Sequence, residues 1–277
     1  MDTTFRIYPI GIQNFERLRN NNNVYVDKTE LIYRLANTNN IYFLSRPRRF
    51  GKSLLVSTLD AYFRGKKDLF QGLAMERLEK EWNVYPVLHL DFSMTKYTAL
   101  SDLLGQLNLN LYDWEKLYGK EEVEGTPAER FRGVIRRAYE QTGKPVVVLI
   151  DEYDAPLLDS NHLPELQNEL REEMRKFFSP LKAQGEYLRF LFLTGISKFS
   201  QMSIFSELNN LQNISMRDDY SAICGITEQE LRTQLKTDIE MMAQANNETY
   251  EEACTHLKQQ YDGYHFSAVS YTHLRAH

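Results

Sequence analysis

The sequence predicts an α/β fold: a mostly parallel central sheet with helices on both faces, followed by the beginning of a small helical C-terminal appendage. Three observations predict it. Short apolar runs recur along the first two thirds of the chain, at IYFL (41–44), PVLHLDFS (86–93), PVVVLIDE (145–152) and LRFLFLTGIS (188–197). Segments with apolar residues at helical spacing separate them, and strands alternating with helices form parallel sheets. The run VVVLI is β-branched and apolar without alternation, as a strand covered on both faces should be.

The elements follow in order. VYVDKTELIYRLA (24–36) reads as a helix, with Asp27 as N-cap, Glu30 as its capping-box partner, and Val26 and Leu31 as a hydrophobic staple. The asparagine runs at 20–23 and 37–40 read as loops. IYFL is a buried strand and KSLLVSTLDAYF (52–63) a helix. After the strand at 86–93, residues 99–118 and 127–141 are amphipathic helices. The strand at 145–152 is followed by a helix around 163–179, the strand at 188–197 and a short fifth strand at NISM (213–216). Beyond residue 220 two helices are expected, the first capped by Thr227 with Glu230 at the box position.

This divides the chain into a domain at 1–220 and an incomplete helical lid or winged-helix region at 221–268. Residues 269–277 (VSYTHLRAH) abandon the preceding pattern and resemble the translation of a sequencing-library adaptor. They lie outside the fold prediction, and the natural chain is expected to continue past residue 268.

The chain has 277 residues, 42% of them hydrophobic, enough for a buried core. Its net charge of −5 excludes a globally basic nucleic-acid binder. Two cysteines, Cys224 and Cys254, make neither a disulfide framework nor a zinc-ligand pattern. The longest apolar runs are too short to span a bilayer, and the N-terminus MDTTFRIYPIG lacks the form of a secretory signal. A cytoplasmic protein with no membrane partner is the expectation.

Two motifs carry chemistry. Between the first strand and its helix stands RPRRFGKS (46–53), a degenerate match to the phosphate loop Gly-x-x-x-x-Gly-Lys-[Ser/Thr], with Arg46 where the first glycine belongs. Gly51 would let backbone approach phosphates, and amides at the helix start would face them. Arg46, Pro47, Arg48, Arg49, Phe50, Gly51, Lys52, Ser53 and Leu54 are the nucleotide-binding candidates. Lys52 would contact the β- and γ-phosphates and Ser53 a Mg²⁺ ion. A basic surface loop or nucleic-acid patch is the alternative reading of the same arginines.

The second motif is the Asp151–Glu152 pair ending VVVLI, the Walker B pattern, at the sheet edge where open α/β folds bind ligands. Asp151 would hold Mg²⁺ together with Ser53, and Glu152 would act as general base on the attacking water. Thr194, ending the next strand, is the candidate γ-phosphate sensor; an ordinary strand-end threonine is the alternative. Asp91 and Asp154 read as strand-end turn residues and His89 as a packed residue. The set implies a P-loop NTPase three-layer sandwich with Glu152, Lys52 and Thr194 as catalytic residues, Ser53 and Asp151 as metal ligands, and ATP and Mg²⁺ as cofactors.

With both motifs in hand, the chain resembles the bacterial family of predicted AAA-ATPase-like proteins. The resemblance rests on YPIGIQNFERLR, YVDKTELIYRL, FLSRPRRFGKSLLVSTL, VLHLDFS, LIDEYDAPL, FLFLTGISKFSQMSIFSELNNL and YDGYHFS, which are spread across almost all of residues 6–267. In that family Arg-Pro-Arg-Arg-Phe-Gly-Lys-Ser is the habitual phosphate loop, so Arg46 belongs to the pattern. The resemblance implies ATP binding and Mg-dependent hydrolysis, a helical or winged-helix continuation, and often a following nuclease-like domain of the Asp…Glu-x-Lys type. Any nucleic-acid partner would act through that further domain. An arginine finger could come in cis from Arg46, Arg48, Arg49 or Lys198, or in trans from a homo-oligomeric neighbour. A nucleotide-dependent switch with negligible turnover is the other functional reading.

Overall fold

A computed structural model describes residues 7–197, 204, 205, 208, 210–261, 264, 265 and 272–274. The chain opens with α1 (Phe15–Asn20), capped by Asn14, and α2 (Thr29–Thr38). β1 (Ile41–Ser45) feeds α3 (Lys52–Phe63), which is followed by α4 (Ala74–Leu78) and β2 (Val87–Asp91). The helical pair α5 (Leu100–Tyr118) and α6 (Pro127–Thr142) leads to β3 (Val146–Asp151). Then come α7 (Ala155–Asp159), α8 (Pro164–Phe178), α9 (Pro180–Ala183), β4 (Leu188–Gly195) and β5 (Gln212–Asn213).

These five strands form one sheet in the order β2-β3-β4-β1-β5, parallel at every pairing. β4 therefore stands between β1 and β3. The register sets Thr194 opposite Leu44 and Asp151 opposite Asp91, so the carboxyl ends of these strands share one edge. Alternate residues of each strand enter different cores. Phe43, Val148, Ile150 and Leu193 pack beneath α5, α6 and α8, where Phe131 and Phe177 stack at 4.7 Å. Tyr42, Leu44, Leu149 and Phe192 pack against α2 and α3 through Ile32, Leu55 and Leu59. Helices, sheet and helices make the three layers. All six residues of β3 are buried, which accounts for its unbroken apolar sequence.

Two boundaries differ from the sequence prediction. α2 begins at Thr29, not in the 24–28 segment, and no box with Glu30 forms. Asp27 instead accepts from Thr29 N at 2.8 Å and Thr29 Oγ1 at 2.7 Å, while its second oxygen accepts from Ala74 N at 2.7 Å. Its backbone N–H donates to Gln234 Oε1 at 2.7 Å, so the stretch before α2 is drawn toward the C-terminal helices. β5 is Gln212–Asn213, because Ser215 is already occupied: its hydroxyl accepts from Ser45 N at 2.8 Å.

The remaining described residues form β6 (Ile226–Thr227), α10 (Glu228–Gln234), α11 (Lys236–Asn246) and α12 (Tyr250–Tyr261), so the first of the two helices expected beyond residue 220 is broken at Leu235. The predicted capping box is present: Thr227 N donates to Glu230 Oε2 at 2.8 Å and Glu230 N to Thr227 Oγ1 at 3.1 Å. Leu231, Leu235, Ile239, Ala243, Ala253 and Cys254 make a small core that takes in Val24 from the N-terminal segment. A buried ion pair, Lys28–Glu230, ties the same two regions together. β7 (Tyr264–His265) and β8 (Thr272–Leu274) pair antiparallel in the order β6-β8-β7, so part of the segment left out of the fold prediction is paired backbone. Among the described residues no helix is long and apolar enough to cross a membrane.

Candidate active site

The loop from β1 to α3 ends on Gly51, whose φ of 81° lies in the left-handed region; no atom stands within 4 Å of where a Cβ would be. A side chain is refused there by backbone conformation rather than by crowding. Arg49 also adopts a positive φ, 67°, at a cost of about 1–2 kcal/mol for an L-residue. This turn leaves the first amides of α3 facing the sheet edge.

Lys52, the first residue of α3, is 3% exposed. Its Nζ donates to Pro47 O at 3.3 Å and lies 3.0 Å from Glu152 Oε1. The phosphate-loop candidate and the acidic strand end therefore meet directly. Glu152 has a φ of 50°, so both loops that face each other here carry a non-glycine residue in the left-handed region. Such residues persist only where the surroundings hold them.

Asp151 is 2% exposed at the end of β3. Its Oδ1 accepts from Thr194 Oγ1 at 2.5 Å and from Glu152 N at 3.0 Å. Burial pushes the Asp151 carboxyl above the usual aspartate range, the hydroxyls of Ser53 and Thr194 pull it back, and the charges of Asp91 and Glu152 raise it further. Asp91 reaches the site only as that charge; its own Oδ1 accepts from Ser93 N at 2.8 Å, the strand-end turn expected of it. His89 is half-buried, its Nδ1 4.0 Å from Asp60 Oδ2 on α3, away from this edge.

The arginines divide. Arg48 and Arg49 are exposed on the loop. Arg46 is 1% exposed, and its guanidinium donates to Ser215 O at 2.6 Å, Ser45 O at 3.0 Å and Ser221 O at 3.5 Å. Burial pulls it down to about 10, which leaves it charged at neutral pH. Phe50 is buried too, and its carbonyl accepts from Gly225 N at 3.1 Å. Arg46 and Phe50 thus moor the loop to the 215–225 segment, and the side chain of Arg46 is directed to those carbonyls rather than to the Lys52–Glu152 pair. Lys198 lies outside the described residues.

Residues 9–205 match the model of the AAA-ATPase-like family, described as "Predicted AAA-ATPase". The chain belongs to this family. A relative from Azotobacter chroococcum mcd 1, described as an uncharacterized protein in the vnfD 5′ region, is 41% identical over 224 residues. That match covers 80% of this chain and 43% of the relative, so the chain spans about half the length of the curated relative it matches. No solved structure matches the chain.

Beside the 46–53 loop of this AAA-ATPase-like chain lies a cavity of about 390 Å³ that sequence reasoning missed. Gly51 and Leu54 form one wall, Val24, Tyr25 and Val26 a second, and Ile223–Ile226 with Leu231 and Leu235 a third. The lining is mostly apolar. Its walls come from three stretches far apart in the chain, and only the first carries a motif.

Proposed function

We propose that the chain binds ATP with Mg²⁺ and hydrolyses it at the Lys52–Glu152 site. The observation that carries this reading is the 3.0 Å approach of Lys52 Nζ to Glu152 Oε1. It brings a cation suited to phosphate and a carboxylate suited to water together at a helix N-terminus.

The residues fit a magnesium ion. Ser53 and Asp151 are hard oxygen donors, and the Ser53 hydroxyl is near enough to lower the Asp151 carboxyl. Among the described residues no cluster of three or more His, Cys, Asp or Glu side chains could hold a metal. That suits Mg²⁺, which keeps waters and phosphate oxygens in its shell instead of an all-protein cage. When bound, the ion would offset the charge of the β- and γ-phosphates.

The chain's own groups do the rest. The amides after Gly51 receive phosphate oxygens, and Lys52 exchanges Glu152 for the triphosphate. Glu152, so released, orients the attacking water and accepts its proton. Thr194 holds Asp151 by hydrogen bond and stands beside the γ-phosphate. The cavity bordered by Leu54 takes the base, its apolar walls stacking on a flat heterocycle. Of the candidates for a finger in cis, Arg48 and Arg49 are the exposed ones among the described residues, with a second copy as the source in trans.

The Lys52–Glu152 pair also favours a second reading, a switch that holds nucleotide and hardly turns it over. Single-turnover hydrolysis by wild type and Glu152→Gln separates the two. A loss of about 10²–10⁴-fold in the variant supports general-base hydrolysis; equal rates support the switch.

A further inference from the structure

Asp154 is fully buried and takes no part in the chemistry above. Its Oδ2 accepts from two consecutive amides past the end of β4, Ile196 N at 2.9 Å and Ser197 N at 2.6 Å. Around it the Asp151–Asp154 turn and the end of β4 are laced together at three further points. Tyr153 N donates to Thr194 O at 3.0 Å, Tyr153 Oη to Ser197 O at 2.5 Å, and Thr194 Oγ1 to Asp151 Oδ1 at 2.5 Å. Gly195 sits inside this lacing. A Cβ there would stand 2.4 Å from Tyr153 Cε1 and 2.6 Å from Asp154 Oδ1. The two turns are therefore in contact with no room between them.

We propose that Asp154 is a positioning residue of this site, whose carboxylate locks the 151–154 turn to the end of β4 and so holds the Thr194 hydroxyl on Asp151 and Glu152 in its left-handed backbone. The proposal rests on the hydrolytic reading of the Lys52–Glu152 pair. Glu152 is flanked by two residues fixed on β4, Asp151 through Thr194 and Tyr153 through the Thr194 carbonyl. Asp154 anchors the turn's far end. Without that anchor two part-buried amides lose their acceptor, and the turn is free to relax the strained φ of Glu152. Misplacing a reacting group by about 1 Å can cost on the order of 10²-fold in rate.

What the lock needs from Asp154 is an acceptor oxygen, not a charge. Asp154→Asn keeps one oxygen for the Ile196 and Ser197 amides. Its Nδ2 takes the place of Oδ1, which has no hydrogen-bond partner among the described residues, so some stability is lost while the lock remains. Asp154→Ala removes the acceptor. Gly195→Ala forces the two turns apart with the carboxylate intact.

The experiment measures kcat and the dissociation constant for Mg-ATP in wild type and these three variants, with circular dichroism to confirm folding. The expected result is unchanged affinity throughout, kcat kept within about threefold in Asp154→Asn, and kcat reduced on the order of 10²-fold in Asp154→Ala and Gly195→Ala. An Asp154→Asn variant as slow as Asp154→Ala overturns the proposal, because the charge itself would then be required. Full turnover in Asp154→Ala overturns it as well. Hydrogen exchange at the Ile196 and Ser197 amides, without nucleotide, reads the lock independently of activity. Protection should be lost in Asp154→Ala and kept in Asp154→Asn; unchanged protection in Asp154→Ala contradicts the lock. If wild type binds no Mg-ATP, the nucleotide reading fails while this exchange result still decides the lock.

Discussion

Lys52 Nζ and Glu152 Oε1 stand 3.0 Å apart, although one residue opens the helix after β1 and the other closes the strand β3, and β4 runs between those two strands. Only the shared carboxyl edge of a parallel sheet brings them together. Each is set by a left-handed residue in its own loop, Gly51 before Lys52 and Glu152 itself. The ion pair is mostly buried, at 2% and 17% side-chain exposure, and so is little weakened by solvent.

Thr194→Val should leave the fold intact and weaken it. The hydroxyl donor to Asp151 Oδ1 is removed while a buried carboxylate stays behind, a loss of about 1–3 kcal/mol. Denaturant unfolding checks this, with Thr194→Ser expected near wild type. Turnover should fall in Thr194→Val and hold in Thr194→Ser.

Arg46→Gly would install the glycine of the usual phosphate-loop motif, and it should harm the protein. The buried guanidinium donates to Ser45 O, Ser215 O and Ser221 O, and glycine leaves these carbonyls and the space unfilled. A loss of at least about 2 kcal/mol in thermal or chemical unfolding is expected. A variant as stable as wild type would show that Arg46 is not a mooring.

Asp151 gives the ligand-free protein a pH dependence. Burial raises its folded-state carboxyl above the unfolded value, so the protonated form is the one the fold favours. Its favourable share of stability is present at low pH and is lost as pH climbs from the ordinary aspartate range through the raised folded value. Asp151→Asn should accordingly raise the Tm at neutral pH, with the gain shrinking toward pH 4. A gain that grew on acidification would contradict the burial argument.

The cavity offers a test that separates base from phosphate. Ile226→Trp places a large ring in a wall of the 390 Å³ space. Affinity for Mg-ATP should drop on the order of tenfold, about 1.4 kcal/mol, while Mg-tripolyphosphate, which has no base, binds as to wild type. Equal losses for both ligands would place the base elsewhere.

Sequence made the sheet legible because β1, β3 and β4 are buried on both faces, which forces apolar runs such as VVVLI and LFL. The two candidate motifs stood out because each is contiguous: Gly51-Lys52-Ser53 opens the helix after β1, and Asp151-Glu152 closes β3. The start of α2 was misread because Asp27 answers to Ala74 and Gln234, neighbours that no local pattern reveals. Arg46 looked like a phosphate contact because a loop arginine is usually exposed; its burial depends on carbonyls far along the chain. The cavity had no signal at all, since Val24, Leu54 and Leu231 meet only after the C-terminal helices pack against the N-terminal segment.

Calorimetric titration of Mg-ATP into wild type and Lys52→Ala tests the central claim most directly. The account predicts saturable one-site binding by wild type and an affinity about 10–100-fold weaker in the folded variant, the worth of hydrogen bonds to a charged group. Binding of equal strength by both proteins, or none by wild type, would contradict it.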